Sequence, residues 1–593
     1  MTEATAKPFV SLAPDNRPTP RTTFDFALHR FLDDLFVAQP VMATQVGFHA
    51  HDDRWPDMSD EGRTSRLAML RHHRARFEAL DPDELSRDER IDRGIVLGAI
   101  DEMEFSEAEL REAAWDPLTY VYIAGSGLFA LLARDFAPWG HRGAAFAGRV
   151  AGLPLLFERA RGALVGLPGR PVSLLHTEAA LNQLAGIGEL IDQGLAEADR
   201  QAEAGERHAA EAIRSVEPAA RRSLAEFARH LEQEVRPRAS GEGRLGARLF
   251  GAKLRHTLAS DLTPDELRAR AEEEYARVRA EMSSLARQMW PSLVPDEPLP
   301  DAASDGSPAA AEDRLVRTVI ERVARDHQRP EDLLTFCQAE VGRIEEFCRQ
   351  HQVITLADEP LEVTWTPVFM RAYGRAFLDS PGPLDKGQRS YFWITPPDEA
   401  AGAEAVAGYM REQNDRMLSL LSIHEGVPGH YLQLTRANQC PSLTRAVFAS
   451  GTFIEGWAVY VTQVMIDLGF GADDPGLQMV NLKYYLRAVT NALMDVAIHA
   501  GDMTEQQAME LMVGGGFQEE DEARAKWLRA RLTATQLSTY FVGSLELWQL
   551  ERQMRRREGD DFEYRLHLES VIAHGSPPIR WLRTILVGDE ADS

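Results

Sequence analysis

The heptapeptide HEGVPGH, His424–His430, is the most informative stretch of this sequence for both fold and chemistry. An isolated acid, Glu455, follows it inside the apolar run Phe453–Tyr460. Two imidazoles, a carboxylate beside the first and a further carboxylate from a later helix are what a protein needs to hold Zn²⁺ with one open position. The sequence therefore predicts one zinc ion, with His424, His430 and Glu455 as ligands.

The spacing of the two histidines departs from the usual zinc-binding helix, in which they lie four residues apart and face one side. Here they lie six residues apart, and on a regular helix their rings would diverge by about 240°. Pro428 lacks the N–H that would bond the carbonyl of His424, and Gly429 relaxes the backbone. We expect a bulge or broken turn that returns His430 to the side of His424. The alternative is that Pro428-Gly429 simply ends a helix and the histidines are capping or core residues.

Glu455 strengthens the metal interpretation. A carboxylate surrounded by Phe453, Ile454 and Trp457 is costly to bury unless it meets a cation or hydrogen-bond donors. Gly456 would permit close helix approach, and a ligand delivered from the next helix suits a site with two histidines and one glutamate. The competing interpretation is an ion pair between Glu455 and an arginine. With three ligands assigned, Glu425 becomes the natural general base.

Later segments supply candidates for stabilising an oxyanion and binding substrate. Positively charged or hydrogen-bond-donating side chains must lie where negative charge develops in the transition state. We predict catalytic roles for Tyr540, His499 and Arg529. Contacts with substrate are predicted for Arg487, Tyr391 and Gln536.

Composition restricts the class of protein and its partners. The chain has 593 residues and a formal charge of −27, from 65 basic and 92 acidic residues. Such a surface repels phosphate backbones, so we expect no nucleic-acid partner. No stretch approaches the roughly 20 apolar residues that span a bilayer, and the first residues lack an apolar signal-peptide core. These observations predict a cytoplasmic protein without a membrane partner; they leave the oligomeric state open.

Most of the chain has the periodicity of amphipathic helices. Thr263–Glu266 and Thr504–Gln507 are capping boxes, and apolar residues recur at helical spacing behind the first. Strands are predicted at Val353–Leu356, Leu361–Trp365 and Arg389–Thr395, which would form a small sheet just before the histidine motif. An edge strand of that sheet is a candidate for pairing with an extended peptide.

The domain prediction follows from one break in the helical pattern. Residues 291–312 are rich in Pro, Ala, Ser and Asp and are expected to form an acidic surface loop between two lobes. We predict a polar tail over 1–20, a helical lobe over 21–290, this loop, and a second helical lobe over 313–593 that carries the metal site.

Several segments together resemble the bacterial family known as domain of unknown function 885 (DUF885), and the resemblance runs over nearly the whole chain. The two specific signatures are His424–His430 and Glu455–Tyr460. Weaker support comes from five further segments: Phe24–His49, the helix from Thr263, Asp495–His499, Gln536–Gly543 and Gly575–Pro578.

This resemblance implies a mainly helical, gluzincin-like peptidase fold, with His424, His430 and Glu455 as ligands and Glu425 as catalytic base. The chain departs from the family pattern at two places. Ala534-Thr535 stands where Pro-Gly is usual before Gln536, and Leu568 stands where a histidine is expected, so no role is transferred to His567.

The expected function is zinc-dependent hydrolysis of short peptides or peptide-like amides. Two other functions remain open from the sequence. The first is a scaffold of the same fold that binds a metal or ligand without cleaving it. The second is a metal-dependent hydrolase of a non-peptide amide or ester.

Overall fold

The computed structural model describes residues 15–203, 207–367, 370–371 and 374–588. Helices account for 71% of the structure and a three-stranded sheet is the other regular element, which confirms the predicted mainly-α class. Most of the predicted N-terminal tail, residues 1–14, lies outside the described residues.

The chain forms two compact units. The first comprises the described residues up to Gly243 together with a later segment, Pro381–Gln388. Its longer helices are α1 (Thr23–Ala38), α2 (Pro40–Gln45), α3 (Asp60–Glu78), α4 (Arg87–Phe105), α5 (Leu118–Ala133), α6 (Trp139–Ala163), α7 (Leu174–Glu203) and α8 (His208–His230).

The second unit comprises Arg244–Ser380 and the described residues from Arg389 onward. Its helices are α9 (Ala247–Leu258), α10 (Pro264–Leu293), α11 (Ala302–Asp305), α12 (Pro308–Val323), α13 (Leu333–Gln350), α14 (Ala403–Glu412), α15 (Asp415–Leu421), α16 (His430–Ala437), α17 (Leu443–Val447), α18 (Gly451–Asp467), α19 (Pro475–His499), α20 (Glu505–Met509), α21 (Glu520–Leu532), α22 (Thr539–Glu558), α23 (Tyr564–Ile572) and α24 (Ile579–Val587).

The division between units differs from the predicted one. The boundary lies at Gly243, and residues 291–312 belong entirely to the second unit. This segment is mostly exposed, yet it holds the end of α10, all of α11 and the start of α12. Asp301 caps α11 and Ser307 caps α12, so local side-chain caps give structure to a segment that lacks apolar periodicity.

The sheet has the order β1-β3-β2 and belongs to the second unit. Strand β1 (Leu361–Trp365) is parallel to β3 (Ser390–Ile394), and β2 (Ala376–Asp379) is antiparallel to β3. The register pairs Val363 with Phe392 and Leu378 with Phe392. Phe392 and Ile394 are buried in one cluster with residues of α13, α14 and α15, so the sheet packs directly beside the helix that leads into His424–His430.

The predictions for individual elements have mixed outcomes. Both capping boxes are confirmed, at the starts of α10 and α20, and two of the three predicted strands exist. Val353–Leu356 is wrong as a strand: Val353 N–H donates to the carbonyl of Cys348, and Thr355 N–H donates to the carboxylate of Glu569. These bonds take the place of a strand partner. Strand β2 was not predicted.

None of the described helices is by itself both long and apolar enough to cross a membrane. One pair, Arg87–Ala114 with Leu118–Ala133, meets that criterion jointly and is bent by 104° at the break between its members.

Candidate metal centre and cavity

The backbone of His424–His430 is interrupted where proline and glycine predicted a broken turn. Helix α15 continues as one π-helical turn, Ser422–Gly426, after which Val427 is extended (φ −112°, ψ 130°). Gly429 N–H donates to the carbonyl of Ile423 at 3.0 Å, and α16 starts at His430. The interruption therefore forms a turn closed by a hydrogen bond between residues six positions apart, Ile423 and Gly429.

This closed turn brings the two imidazoles together. The ring centroids of His424 and His430 are 4.8 Å apart, with their planes at 80°. Donor atoms of His424, Glu425 and His430 all lie within 4.8 Å of one another. Glu455 Oε2 lies 3.5 Å from His430 Nε2. Both carboxylates of the predicted site thus lie beside the histidine pair.

Helix α18 delivers Glu455, and its position is set by close packing. Trp457 Nε1 donates to the carbonyl of Pro428 at 3.0 Å, which ties α18 to the broken turn. Gly456 lies against Gly543 of α22, where a Cβ atom on Gly456 would be 2.8 Å from the backbone nitrogen of Ser544. Close helix approach at Gly456, predicted from the sequence, is therefore present.

Burial and mutual charge set the protonation of the cluster. Burial lowers the pKa of His424 well below its ordinary value, and His430 adds to the effect. Burial raises the pKa of Glu425 to about 7, with Glu455 adding to the rise, while His430 and the N–H of Leu378 oppose it. For His430, burial is outweighed by Glu455 and Glu425, which raise its pKa.

The cluster fits a divalent metal. The Nδ1 atom of His430 is buried and has no hydrogen-bond partner within the described chain. Buried polar atoms rarely remain unpaired, and neutral imidazole with carboxylate is the donor set that zinc prefers. Glu425 Oε2 accepts the N–H of Leu378 at 2.9 Å. One oxygen of Glu425 is therefore engaged by the backbone, whereas Glu455 contacts His430 of the cluster itself.

A cavity of about 710 Å³ opens beside these residues. Such a volume is typical of sites for small ligands. All four residues of the cluster line it, together with the predicted Arg487, Arg529 and Tyr540. The inner edge of the sheet contributes Ala376, Phe377 and Leu378 of β2.

Tyr540 lines the cavity, and its hydroxyl is oriented by neighbouring side chains. Gln536 Nε2 donates to its hydroxyl at 3.0 Å, and Arg529 Nη2 donates to Gln536 Oε1 at 2.9 Å. Burial raises the pKa of Tyr540 to about 12, and Glu455 adds to the rise, so the hydroxyl keeps its proton. Gln536 does not line the cavity but orients Tyr540.

Besides Gln536, two predicted residues do not line this cavity. His499 is buried, stacks on Phe250, and donates through Nε2 to the carbonyl of Ala530 at 2.9 Å. Tyr391 stacks on Trp393 of the same strand, at 4.8 Å between centroids. Neither residue is among those that line the cavity, so we assign neither a catalytic nor a substrate-binding role.

Sequence reasoning missed several polar residues of the cavity, including Arg375, Lys526 and Glu522. Glu522 and Lys526 lie four residues apart on α21, a spacing that is typical of exposed helical ion pairs. Nothing in that local pattern distinguishes a buried pair from a solvated one.

Comparison with known proteins agrees with the fold and leaves the activity open. A solved structure of a candidate lipoprotein of unknown function from Shewanella oneidensis is 28% identical and superposes with a TM-score of 0.82, over 96% of this chain and 100% of that one. A candidate lipoprotein from Colwellia psychrerythraea is 16% identical with a TM-score of 0.77, over 95% and 98% of the two chains, and shows the fold alone. No curated protein matches the sequence.

The family profile described as "Bacterial protein of unknown function (DUF885)" matches residues 40–586. The match includes both units, the broken turn at His424–His430 and the helices that surround it. This chain therefore belongs to the DUF885 family of bacterial proteins.

Proposed function

We propose that this protein is a zinc-dependent hydrolase of short peptides or peptide-like amides. The observation that carries the proposal is the convergence of two buried imidazoles and two carboxylates on one cavity of about 710 Å³. His424, His430 and Glu455 would hold the ion. Bound zinc would supply Lewis-acid activation of water and of the scissile carbonyl.

The chain's own residues have complementary roles in this proposal. Glu425, with a pKa near 7, would accept a proton from the attacking water and pass it to the leaving amine. Tyr540 would donate its hydroxyl proton in a hydrogen bond to the developing oxyanion, and Arg529 would add positive charge there. Strand β2 lies at the edge of the sheet and lines the cavity, so an extended substrate would pair with its backbone.

Paired carboxylate variants test the roles assigned to Glu425 and Glu455. Glu425→Gln is expected to keep the bound zinc and to lose about 10²–10⁴-fold in peptide hydrolysis, the usual contribution of a general base. Glu455→Gln is expected to lose zinc, measured by elemental analysis of the purified protein. Hydrolysis of a peptide library by Glu425→Gln at the wild-type rate would disprove the mechanism.

Two further measurements, ligand binding by His430→Ala and hydrolysis of small amides and esters, distinguish the other functions. A non-catalytic scaffold predicts no turnover of any peptide and ligand binding that survives His430→Ala. An esterase or non-peptide amidase predicts that small amides or esters are cleaved faster than dipeptides.

A further inference from the structure

The part of the cavity lined by Arg375, Arg487 and Lys526, which we term the basic cluster, has positive charge that the proposed reaction does not use. Arg487 lies on α19, Lys526 on α21, and Arg375 immediately before β2. Basic side chains from three separate elements thus line one cavity.

Arg487 already has carboxylate partners. Its Nη2 is paired with Glu522, and its Nη1 lies 3.7 Å from Glu412 Oε1. Lys483 Nζ also lies 2.8 Å from Glu412 Oε2, with both side chains buried. Glu412 is therefore shared by Arg487 and Lys483, and Glu522 is paired with Arg487.

Arg375 and Lys526 are additional to these pairs. Lys526 is 8% exposed, and its Nζ donates to Gln518 Oε1 at 2.7 Å, a neutral acceptor. The guanidinium of Arg375 lies 4.9 Å from the ring centroid of Tyr409. Its Nη1 is shielded from water without a hydrogen-bond partner among the described residues. Four basic side chains accordingly lie with two carboxylates, Glu412 and Glu522, in this region.

The electrostatic effect on neighbouring groups agrees with an excess of positive charge. Burial by itself raises the pKa of Glu522, but Arg487, Lys526, Arg375 and Lys483 outweigh it and lower that pKa to about 2. Burial lowers the pKa of Lys526 well below its ordinary value, and Arg487 adds to this, so an anion bound beside Lys526 would favour its charged form. An uncompensated buried charge is unfavourable, and an anionic ligand would remove the imbalance.

We infer that the basic cluster binds a carboxylate of the substrate, so that the enzyme acts on peptides or amides that carry one. The carboxylate is either the α-carboxylate of a short peptide or an acidic side chain. Arginine provides planar paired donors for such a group and lysine a point charge. The inference rests on the proposed function, because the same cavity holds Glu425 and the proposed metal ligands.

Binding to the inactive Glu425→Gln protein, measured by calorimetry, tests the inference without turnover. The probes are a panel of unprotected dipeptides, their C-terminal amides, and dipeptide amides that contain Asp or Glu. Free dipeptides are expected to bind at least about tenfold more tightly than their amides, because hydrogen bonds to a charged group contribute roughly 1.5–3 kcal/mol. Tight binding of the acidic amides would identify a side-chain carboxylate as the ligand; their weak binding would identify the C-terminus.

Two variants and one control test whether the preference for a carboxylate depends on the basic cluster. Arg375→Gln and Lys526→Met, each combined with Glu425→Gln, are expected to reduce free-dipeptide affinity to that of the amides. Arg329→Gln is the matched control, because Arg329 is 71% exposed and pairs with Glu331 and Asp332 on the surface. The control should keep the tenfold preference.

Equal binding of free dipeptides, their amides and the acidic amides, including the absence of binding by all three, would overturn the inference, as would a preference for carboxylate-bearing probes that survives both variants. If equal binding accompanies hydrolysis that depends on Glu425, only the carboxylate site is wrong. If the preference holds and wild-type protein cleaves nothing, the carboxylate site stands and the proposed hydrolase does not.

Discussion

Gly429 has a steric role in the candidate metal centre that is separate from the conformational freedom of its backbone. A Cβ atom at this position would lie 2.5 Å from the carbonyl carbon of His424 and closer still to the carbonyl oxygens of Ile423 and His424. The residue therefore allows the chain to double back between the two histidines. Its φ is −72° and its ψ is −137°, and the close approach of neighbouring backbone atoms is the steric reason for glycine here.

We predict that Gly429→Ala separates the two imidazoles and abolishes zinc binding. The added methyl group cannot fit without moving backbone, which costs about 3 kcal/mol or more of unfolding free energy. Gly451→Ala, at the start of α18 with no atom within 4 Å of its Cβ, is the control and should change stability by less than about 0.5 kcal/mol. Urea denaturation and zinc content measure both effects; normal zinc content in Gly429→Ala would contradict this role.

Thr535 departs from the family pattern at a position whose backbone conformation favours glycine. Its φ of +75° is in the left-handed region, which β-branched residues rarely adopt and which the glycine usual in the family would adopt readily. Asp495 holds this turn by accepting the N–H groups of Thr535 and Ser538 and the hydroxyl of Ser538. The turn immediately precedes Tyr540, so Asp495 positions the proposed oxyanion donor.

At the scale of elements, the crossing of α18 and α22 connects a proposed metal ligand to a proposed hydrogen-bond donor. Gly456 and Gly543 face each other there, and a Cβ atom on Gly543 would be 2.7 Å from the Cα of Gly456. Glu455 precedes one glycine, and Tyr540 lies one helical turn before the other. The separation of the two helices therefore sets the width of the cavity between these side chains.

We predict that Gly456→Ala forces the two helices apart, with a loss of about 3 kcal/mol in unfolding free energy and reduced zinc affinity. Gly342→Ala is the matched control, because Gly342 is an exposed mid-helix residue of α13 with no atom within 4 Å of its Cβ. That control should gain roughly 0.5–1 kcal/mol from helix propensity. Equal stability changes in the two variants would show that the crossing tolerates a side chain.

At the scale of the whole molecule, the first unit includes a segment from much later in the chain. Pro381–Gln388 packs against Gln45–Phe48, one of the stretches on which the family resemblance rests: Leu384 N–H donates to the carbonyl of Val46 at 2.9 Å. His49 fastens the segment, with Nδ1 2.9 Å from Asp52 and Nε2 2.9 Å from Asp385.

This arrangement predicts a pH-dependent stability of the first unit. Burial lowers the pKa of His49, but the hydrogen bonds and charges of Asp385 and Asp52 outweigh it and raise that pKa to about 9. A raised pKa stabilises the folded state fully below about pH 6.5, the ordinary value for histidine, and the contribution is lost as pH rises through about 9. A shift of this size corresponds to about 3 kcal/mol.

Hydrogen exchange of the amides of Leu384 and Asp385, corrected for intrinsic rates, measures the effect. Wild-type protection is expected to fall between pH 6.5 and pH 9.5, whereas His49→Gln should show weak protection throughout. Protection in the wild type that is independent of pH would mean that the protonated form of His49 does not fasten the segment.

The sequence by itself determined the helical class, the capped starts of α10 and α20, two strands and the residues proposed to hold the metal. These features depend on short-range physics: apolar periodicity, side-chain caps, and a proline-glycine pair that interrupts a helix between two histidines. Glu455 could be identified as well, because a lone acid in an apolar run implies a buried partner.

Only the tertiary structure decided which distant groups share a surface. It added β2 to the sheet, placed His499 against Ala530 instead of the cavity, joined Pro381–Gln388 to the first unit, and collected the basic cluster from three elements. Each depends on contacts between residues far apart in the chain, and local patterns such as the spacing of Glu522 and Lys526 are the same for buried and exposed pairs. Whether such a pair is buried beside a cavity depends on how the whole chain packs.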